Sequence, residues 1–310
     1  MTVERRFRAM GSDAHVIVVG GRGNDALDRA EARIAQLESR WSRFVDTSEV
    51  SALNRGAGEA LRVSPDTVLL VVRAIEAMRV SGGTFDPTVL GAVIRAGYDR
   101  TFDELSAQHG ASSLVLGCDA IEVVGSDVVR LPAGTGFDPG GIGKGLAADL
   151  VVEELLADGD VAGICVNLGG DVRVAGTPPS GESWTVAVEH PWSARPIAHV
   201  GLLDGAVATS TTLLRTWHAD GDRSHHIIDP VTGEPSSTDL TLATVVSGQG
   251  WTSEILAKAV LLRGARHPFD LLGGTGAEAI AVADDGRILA TSGFSTFLGG
   301  VGLDERLEIA

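Results

Sequence analysis

Lysine is almost missing from this chain. Lys144 and Lys258 are its only two, and the other 23 of its 25 basic residues are arginine. Under such a bias a surviving lysine is either a chance remnant or a position that needs a compact ammonium. Basic residues as a class are also short, at 25 against 41 acidic ones, a net charge of −16. That field repels nucleic acid and anionic lipid, so the chain is not expected to bind either without sequence-specific help. Cysteine appears only twice. Cys118 and Cys165 both sit in apolar stretches and read as small buried hydrophobes rather than a disulfide framework or a metal site. No apolar run approaches the length of a membrane span, and the opening MTVERRFRAMGSDAHVIVVG has neither a signal-type apolar segment nor a lipobox cysteine. A cytoplasmic location and no membrane insertion are therefore expected. Internal repeats, charge blocks and long linkers are lacking too, so residues 1–310 are expected to form a single domain.

What is present is a chain able to build a core. Hydrophobic residues are 44% of the 310, and 40 glycines without a G-X-Y period punctuate short elements. Leu27, Ala30, Ile34, Leu37 and Trp41 recur at helical spacing, which predicts a helix over 25–43. Ser64-Pro65 is an N-cap and N1 pair for a helix through Val80. Further helices are expected over 141–157 and 253–262. Hairpins are expected at 121–131 around Gly125, at 163–175 around Gly169-Gly170-Asp171, and at 277–291 around Asp285-Gly286. Additional strands are read at 15–19, 184–189, 198–202, 206–209 and 240–247. Hairpins outnumber crossovers, so the fold class is α+β with antiparallel sheets rather than a doubly wound sheet.

Five segments carry possible chemistry. Asp138-Pro139-Gly140-Gly141-Ile142-Gly143-Lys144-Gly145 runs into a helix containing Asp149. Its glycines allow close backbone approach, the helix start adds a positive dipole end, and Lys144 adds a full charge, a set suited to a diphosphate. The spacing is neither a Walker A loop nor a Rossmann fingerprint. Alone it reads equally as a Gly-rich helix start. Asn167-Leu168-Gly169-Gly170-Asp171 is either an ordinary hairpin turn or a turn on which a ligand lies against backbone. His225-His226-Ile227-Ile228-Asp229-Pro230 contains adjacent histidines. On a strand they would face opposite ways, which disfavours a shared metal and leaves one as a candidate base. Glu254 and Lys258 stand at i and i+4 of one helix, otherwise a surface ion pair. Gly82-Gly83-Thr84-Phe85-Asp86-Pro87-Thr88 could be a loop closed by an Asx turn at Asp86.

Taken together and in this order, the segments resemble the ApbE family of flavin transferases, whose pattern also includes Met10-Gly11, the stretch Ser48–Asn54 and the strand end Ala208-Thr209-Ser210. The resemblance covers about residues 7–300. It implies a T-fold-like α+β architecture of mixed and antiparallel sheets packed with helices. It further implies FAD as ligand and a reaction that moves FMN onto a Thr or Ser of a target flavoprotein, with AMP leaving. The residues matching the family's flavin-binding pattern are Met10, Asp86, Gly140, Gly141, Lys144, Asp149, Asn167, Gly169, Gly170, Asp171, Thr209, Ser210, His226, Ile228 and Asp229. His226 matches its base, and Lys144 would stabilise phosphate oxygens. The family's Mg²⁺ would fall to Gly143 and Glu254. Here Glu254 and Lys258 stand where the pattern has Asp and Thr, His225 replaces a Ser, and Thr211 replaces a Gly. These departures keep two alternatives in view, an FAD diphosphatase and a flavin-binding protein with weak or lost transfer.

Overall fold

A computed structural model describes residues 1–102, 112–219, 222–298 and 307–309. The chain separates into two compact units, one formed by residues 1–36, 144–211 and 238–310, the other by 37–143 and 212–237.

The first unit is built on a nine-stranded sheet. Its strands are β1 (Thr2–Ala9), β2 (Ser12–Gly20), β6 (Val161–Leu168), β7 (Asp171–Gly176), β10 (Gly205–Thr211), β13 (Leu240–Ser247), β14 (Glu278–Ala283), β15 (Ile288–Ala290) and β16 (Leu307–Ile309), in that spatial order. Every neighbouring pair is antiparallel except β15 with β16. Strand β13 is buried along its whole length, as a continuous apolar run should be when both faces are covered. On one face Leu242 and Val246 join Val174, Val207, Ile280 and Val282 in a core closed by the ribbon of β8 (Trp184–His190) and β9 (Ser193–Leu202). The alternate residues Ala243 and Val245 turn to the other face, on which α6 (Gly250–Arg263) packs. Helix α5 (Gly143–Ala157) starts against α6. A Cβ on Gly250 would lie 2.6 Å from the Gly145 carbonyl oxygen, and one on Gly145 would lie 2.7 Å from the Trp251 nitrogen, so the two helix starts touch backbone to backbone only because both residues are glycine.

Two tight turns shape one end of this sheet. Leu168 pairs with Asp171 across Gly169 (φ 65°) and Gly170 (φ 98°), the left-handed pair that a two-residue hairpin of matching twist requires. Ala9 pairs with Ser12 across Met10 (φ 51°) and Gly11 (φ 66°), so Met10 holds a left-handed conformation that side chains other than Gly, Asn and Asp rarely adopt. The turns are neighbours. Gly169 N–H donates to Asp13 O at 2.9 Å, and a Cβ on Gly169 would lie 2.7 Å from the Ser12 Cβ.

In the second unit, α2 (Glu49–Arg55) is capped by Ser48, whose hydroxyl accepts from Ser51 N–H at 3.0 Å. A three-stranded sheet orders β3 (Ala60–Arg62), β5 (Val128–Arg130) and β4 (Glu122–Val124). Helix α3 (Pro65–Val80) starts as read from Ser64-Pro65. Helix α4 (Leu90–Arg95) contributes Ala92 and Val93 to a small core with Ala96, Tyr98, Trp217 and Ile228. Trp217 lies on the short ribbon of β11 (Thr216–Ala219) and β12 (Asp222–His225), and its indole N–H donates to Ala96 O at 2.8 Å. Helix α1 (Gly23–Trp41), which belongs to the first unit through Gln36, buries Leu27, Ala30, Ile34, Leu37 and Trp41, the residues read as its apolar face.

The expected helices and hairpins are therefore present, with three adjustments. Helix α5 begins at Gly143 rather than 141, because residues 139–142 form turns in which Ile142 and Gly143 N–H donate to Pro139 O. Helix α6 begins three residues before the expected Ser253. Strand β12 ends at His225, so His226 lies in a bend and strand alternation does not fix its direction relative to His225. Both cysteines are free thiols, Cys118 buried and Cys165 half-buried, and burial pushes each up to about 12.

Candidate functional site

In the first unit the chemistry centres on Lys144, in the first turn of α5. Its ammonium donates to Glu254 Oε1 at 2.7 Å and to Asp171 Oδ2. The other Glu254 oxygen accepts from Gly145 N–H at 2.8 Å, an orphan donor of the helix start. Both carboxylates are only 5% exposed, and Lys144 18%. Burial would lower the Lys144 ammonium, but Asp171 and then Glu254 oppose that and hold it above its usual value. Burial, helped by nearby Glu254, raises the Asp171 carboxyl to about 6 against the pull of Lys144. Lys258, half-buried one turn after Glu254 on α6, acts on the same carboxyl in the lowering direction.

Asp149, one of the residues matching the family's flavin-binding pattern, caps a helix in this structure. It is buried at 3% exposure, and its oxygens accept from Gly250 N–H at 2.7 Å and Trp251 N–H at 3.0 Å, so it caps α6 from the side of α5. Burial raises its carboxyl to about 6, while those two N–H groups and Arg173, whose Nε is 3.2 Å from Oδ1, pull it back down. Arg173 in turn reaches Asp204 at 2.6 Å and the Gly205 carbonyl at 3.0 Å. Asp149 thus acts on the site through α6, the helix that carries Glu254 and Lys258. Sequence reading missed Arg173. A lone arginine inside the apolar strand Val172–Ala175 was the available signal, since a buried charge demands partners.

The remaining residues of this unit occupy the end of the sheet with the tight turns. Asn167 Oδ1 accepts from Gly170 N–H at 2.8 Å and holds the glycine turn. Pairing of β10 with β7 stops at Val207, so Thr209 and Ser210 run on beyond it, with the Thr209 hydroxyl 2.8 Å from that of Thr244. The structure thus brings Lys144, Asp171 and Glu254 into contact, and sets Gly169 beside the Met10-Gly11 turn.

The second unit holds the other expected residues. Asp138 Oδ1 accepts from Gly140 N–H at 2.9 Å and lies 3.5 Å from Arg43 Nε. The Asn54 side chain brackets Phe137, donating to its carbonyl at 2.9 Å and accepting from its N–H at 2.7 Å, so the stretch Ser48–Asn54 positions the start of the Gly-rich run. Asp86 closes an Asx turn, with Oδ1 accepting from Thr88 N–H at 2.7 Å and from the Thr88 hydroxyl, and burial raises its carboxyl. His225 is committed within its own segment: Nε2 is 3.1 Å from Ser236 O, and Nδ1 accepts from Ile227 N–H at 3.3 Å. Ile228 packs into the small core, and Asp229 Oδ1 accepts from Val231 N–H at 2.8 Å, so this carboxylate shapes the Asp229–Gly233 turn. Arg95 pins that turn by donating to Gly233 O at 2.6 Å.

The magnesium implied by the family pattern does not fit the residues present. A hard divalent ion asks for several oxygen ligands in near-octahedral order. Both oxygens of Glu254 already accept from protein donors, and Lys258 has no lone pair to offer where the pattern has a Thr hydroxyl. Among the described residues, no three of His, Cys, Asp and Glu converge as a metal-binding group.

Comparison with known proteins agrees with the architecture. The chain is 31% identical over 293 residues, 86% of this chain and 80% of the other, to the FAD:protein FMN transferase of Treponema pallidum. It is 27% identical over 281 residues to the protein of the same description from Vibrio cholerae, covering 86% of this chain and 82% of the other. The crystal structure of the ApbE protein of Thermotoga maritima superposes with a TM-score of 0.87 at 25% identity, covering 96% of this chain and 99% of that one. The sequence profile described as the ApbE family matches residues 10–281, and the chain belongs to that family.

Proposed function

We propose that this chain is an FAD:protein FMN transferase, moving FMN from FAD to a Thr or Ser hydroxyl of a target flavoprotein and releasing AMP. Support comes from relatives of that description matching across most of the chain. The observation that carries the reading is the Lys144 cluster. It sets a half-buried cation at a glycine-lined helix start, beside a turn open enough for close backbone approach. An ammonium has three donors, and Asp171 and Glu254 use two, so a phosphate oxygen can take the third.

In this reading the acceptor hydroxyl oxygen attacks the FMN-side phosphorus. One P–O bond forms, the bridging P–O bond of the diphosphate breaks, and its electron pair leaves on AMP. The hydroxyl proton passes to His226. Charge compensation and alignment make up most of the barrier. Lys144 and the positive dipole end of α5 compensate the phosphate oxygens. Asp171 and Glu254 keep Lys144 charged and fixed, and Asp149 fixes α6. Asp86, Asp138 and Asp229 shape the loops that approach the flavin. The whole chain serves as one flavin-transferase domain. Magnesium has no step in this reading.

The test is incubation with FAD, with and without a peptide bearing a flavinylation motif. Covalently yellow peptide supports transfer. Free FMN without peptide labelling would make the protein a diphosphatase, and intact bound FAD would make it a binder.

A further inference from the structure

We infer that two lysines, Lys144 and Lys258, supply the positive charge that meets the ligand phosphates in this chain, and that no divalent cation resides there. The inference rests on the FAD reading above and assigns the charge chemistry of that site.

Three observations carry it. First, the carboxylate that should ligate an ion already holds a protein donor on each oxygen. Glu254 accepts from the Lys144 ammonium with one oxygen and from Gly145 N–H with the other. An ion on Oε1 would compete with the Lys144 ammonium, and one held by both oxygens would also displace the buried Gly145 N–H. Second, the position one turn on, in the same helix, carries an ammonium. Lys258 cannot ligate a cation and repels one, and its charge already acts on Asp171, which Lys144 also contacts. Third, these are the only lysines in the chain, against 23 arginines, and both act on one carboxylate. A sequence that writes almost every cation as arginine keeps lysine where a compact point charge replaces an ion and a planar fork would not fit.

The full-length protein, stripped of metal, is titrated with FAD in chelator and again with millimolar Mg²⁺, and Mn²⁺ binding is read directly by electron paramagnetic resonance without FAD. For wild type the FAD dissociation constant is expected to differ by less than about twofold between the two buffers, with no stoichiometric Mn²⁺ bound. Lys258→Met should weaken FAD about tenfold in both buffers. Lys258→Thr should weaken it in chelator and recover in Mg²⁺, because a hydroxyl can ligate. Wild type that loses FAD on chelation, or binds one Mn²⁺, overturns the inference while leaving the transferase reading intact. Wild type that binds FAD in neither buffer overturns the FAD reading, and the Mn²⁺ signal then decides the metal question alone. The same wild-type signal decides it if either variant fails to fold, as judged by circular dichroism.

Discussion

Removing the Lys144 ammonium should produce a protein whose stability depends on pH in a distinctive way. Lys144→Met keeps most of the side-chain volume but leaves Asp171 and Glu254, each 5% exposed, facing one another without the intervening cation. At about 3 Å and an effective dielectric of 20, each lost attraction is about 5 kcal/mol gross. Desolvation already offsets part of it, so removal of one partner from a buried pair typically costs about 3–5 kcal/mol net. Protonation sets a ceiling. Neutralising a carboxyl of ordinary pKa near 4 costs about 1.4 kcal/mol per pH unit above that value, so about 5 kcal/mol at pH 7.5 and under 2 kcal/mol at pH 5. The sign follows from the direction of the shift. Asp171 is already raised to about 6 by burial and Glu254, and losing Lys144 raises it further. Stability tied to a raised carboxyl is fully present below its unfolded value near pH 4 and is lost as pH rises through the folded value. Urea denaturation at both pH values measures the difference. The expected loss relative to wild type is about 3–5 kcal/mol at pH 7.5, shrinking to about 1–2 kcal/mol at pH 5. A loss under about 1 kcal/mol at pH 7.5, or one that does not shrink on acidification, refutes the buried bridge.

Gly145→Ala should be among the most damaging single-methyl changes, because its Cβ would lie 2.7 Å from the Trp251 nitrogen. A loss of about 3 kcal/mol or failure to express is expected, against a few tenths for an alanine at an exposed helical position. Asp149→Ala orphans the buried Gly250 and Trp251 N–H groups and should lower stability by about 2 kcal/mol in the same denaturation assay, with Asp149→Asn losing less because one acceptor remains. His226→Ala should bind FAD almost as wild type does but slow peptide labelling by roughly 10²–10⁴-fold, whereas His225→Ala should slow it far less. The opposite ranking would move the base to His225. Calorimetry should find FAD bound more tightly than FMN, since the glycine-lined helix start suits a diphosphate, and equal affinities would contradict that.

Much of the fold could be read from local pattern. The Ser64-Pro65 start of α3 and the β6–β7 hairpin declare themselves through capping and positive-φ glycines, signals contained within a few residues. Strand β1 does not. Its sequence TVERRFRA puts charge along an edge strand with little buried face, so no apolar alternation marks it. Helix α2 has only seven residues and the β11–β12 ribbon four per strand, too short for periodicity to register. The site shows the same division. Lys144, Asp171 and Glu254 could each be named from their segments, but their mutual contact joins residues 27 and 110 positions apart, a distance over which no local signal operates. The same holds for Asp149, whose capping of α6 spans 101 residues.

The pairing of β2 with β6 has a consequence in time. Ala14 pairs with Leu168 and Val19 with Gly163, so during synthesis the β1–β2 hairpin lacks its inner neighbour until about 140 more residues have been added. At roughly 5–20 residues per second, that wait is on the order of 7–30 s. Throughout it, the β2 edge and the apolar residues Ala14, Val16 and Val18, buried in the finished fold, have no partner from β6. A nascent strand edge of that kind invites pairing with another chain. Yield of folded protein should therefore respond to translation speed and to chaperones that shield the emerging β1–β2 hairpin, independently of how stable the completed sheet is.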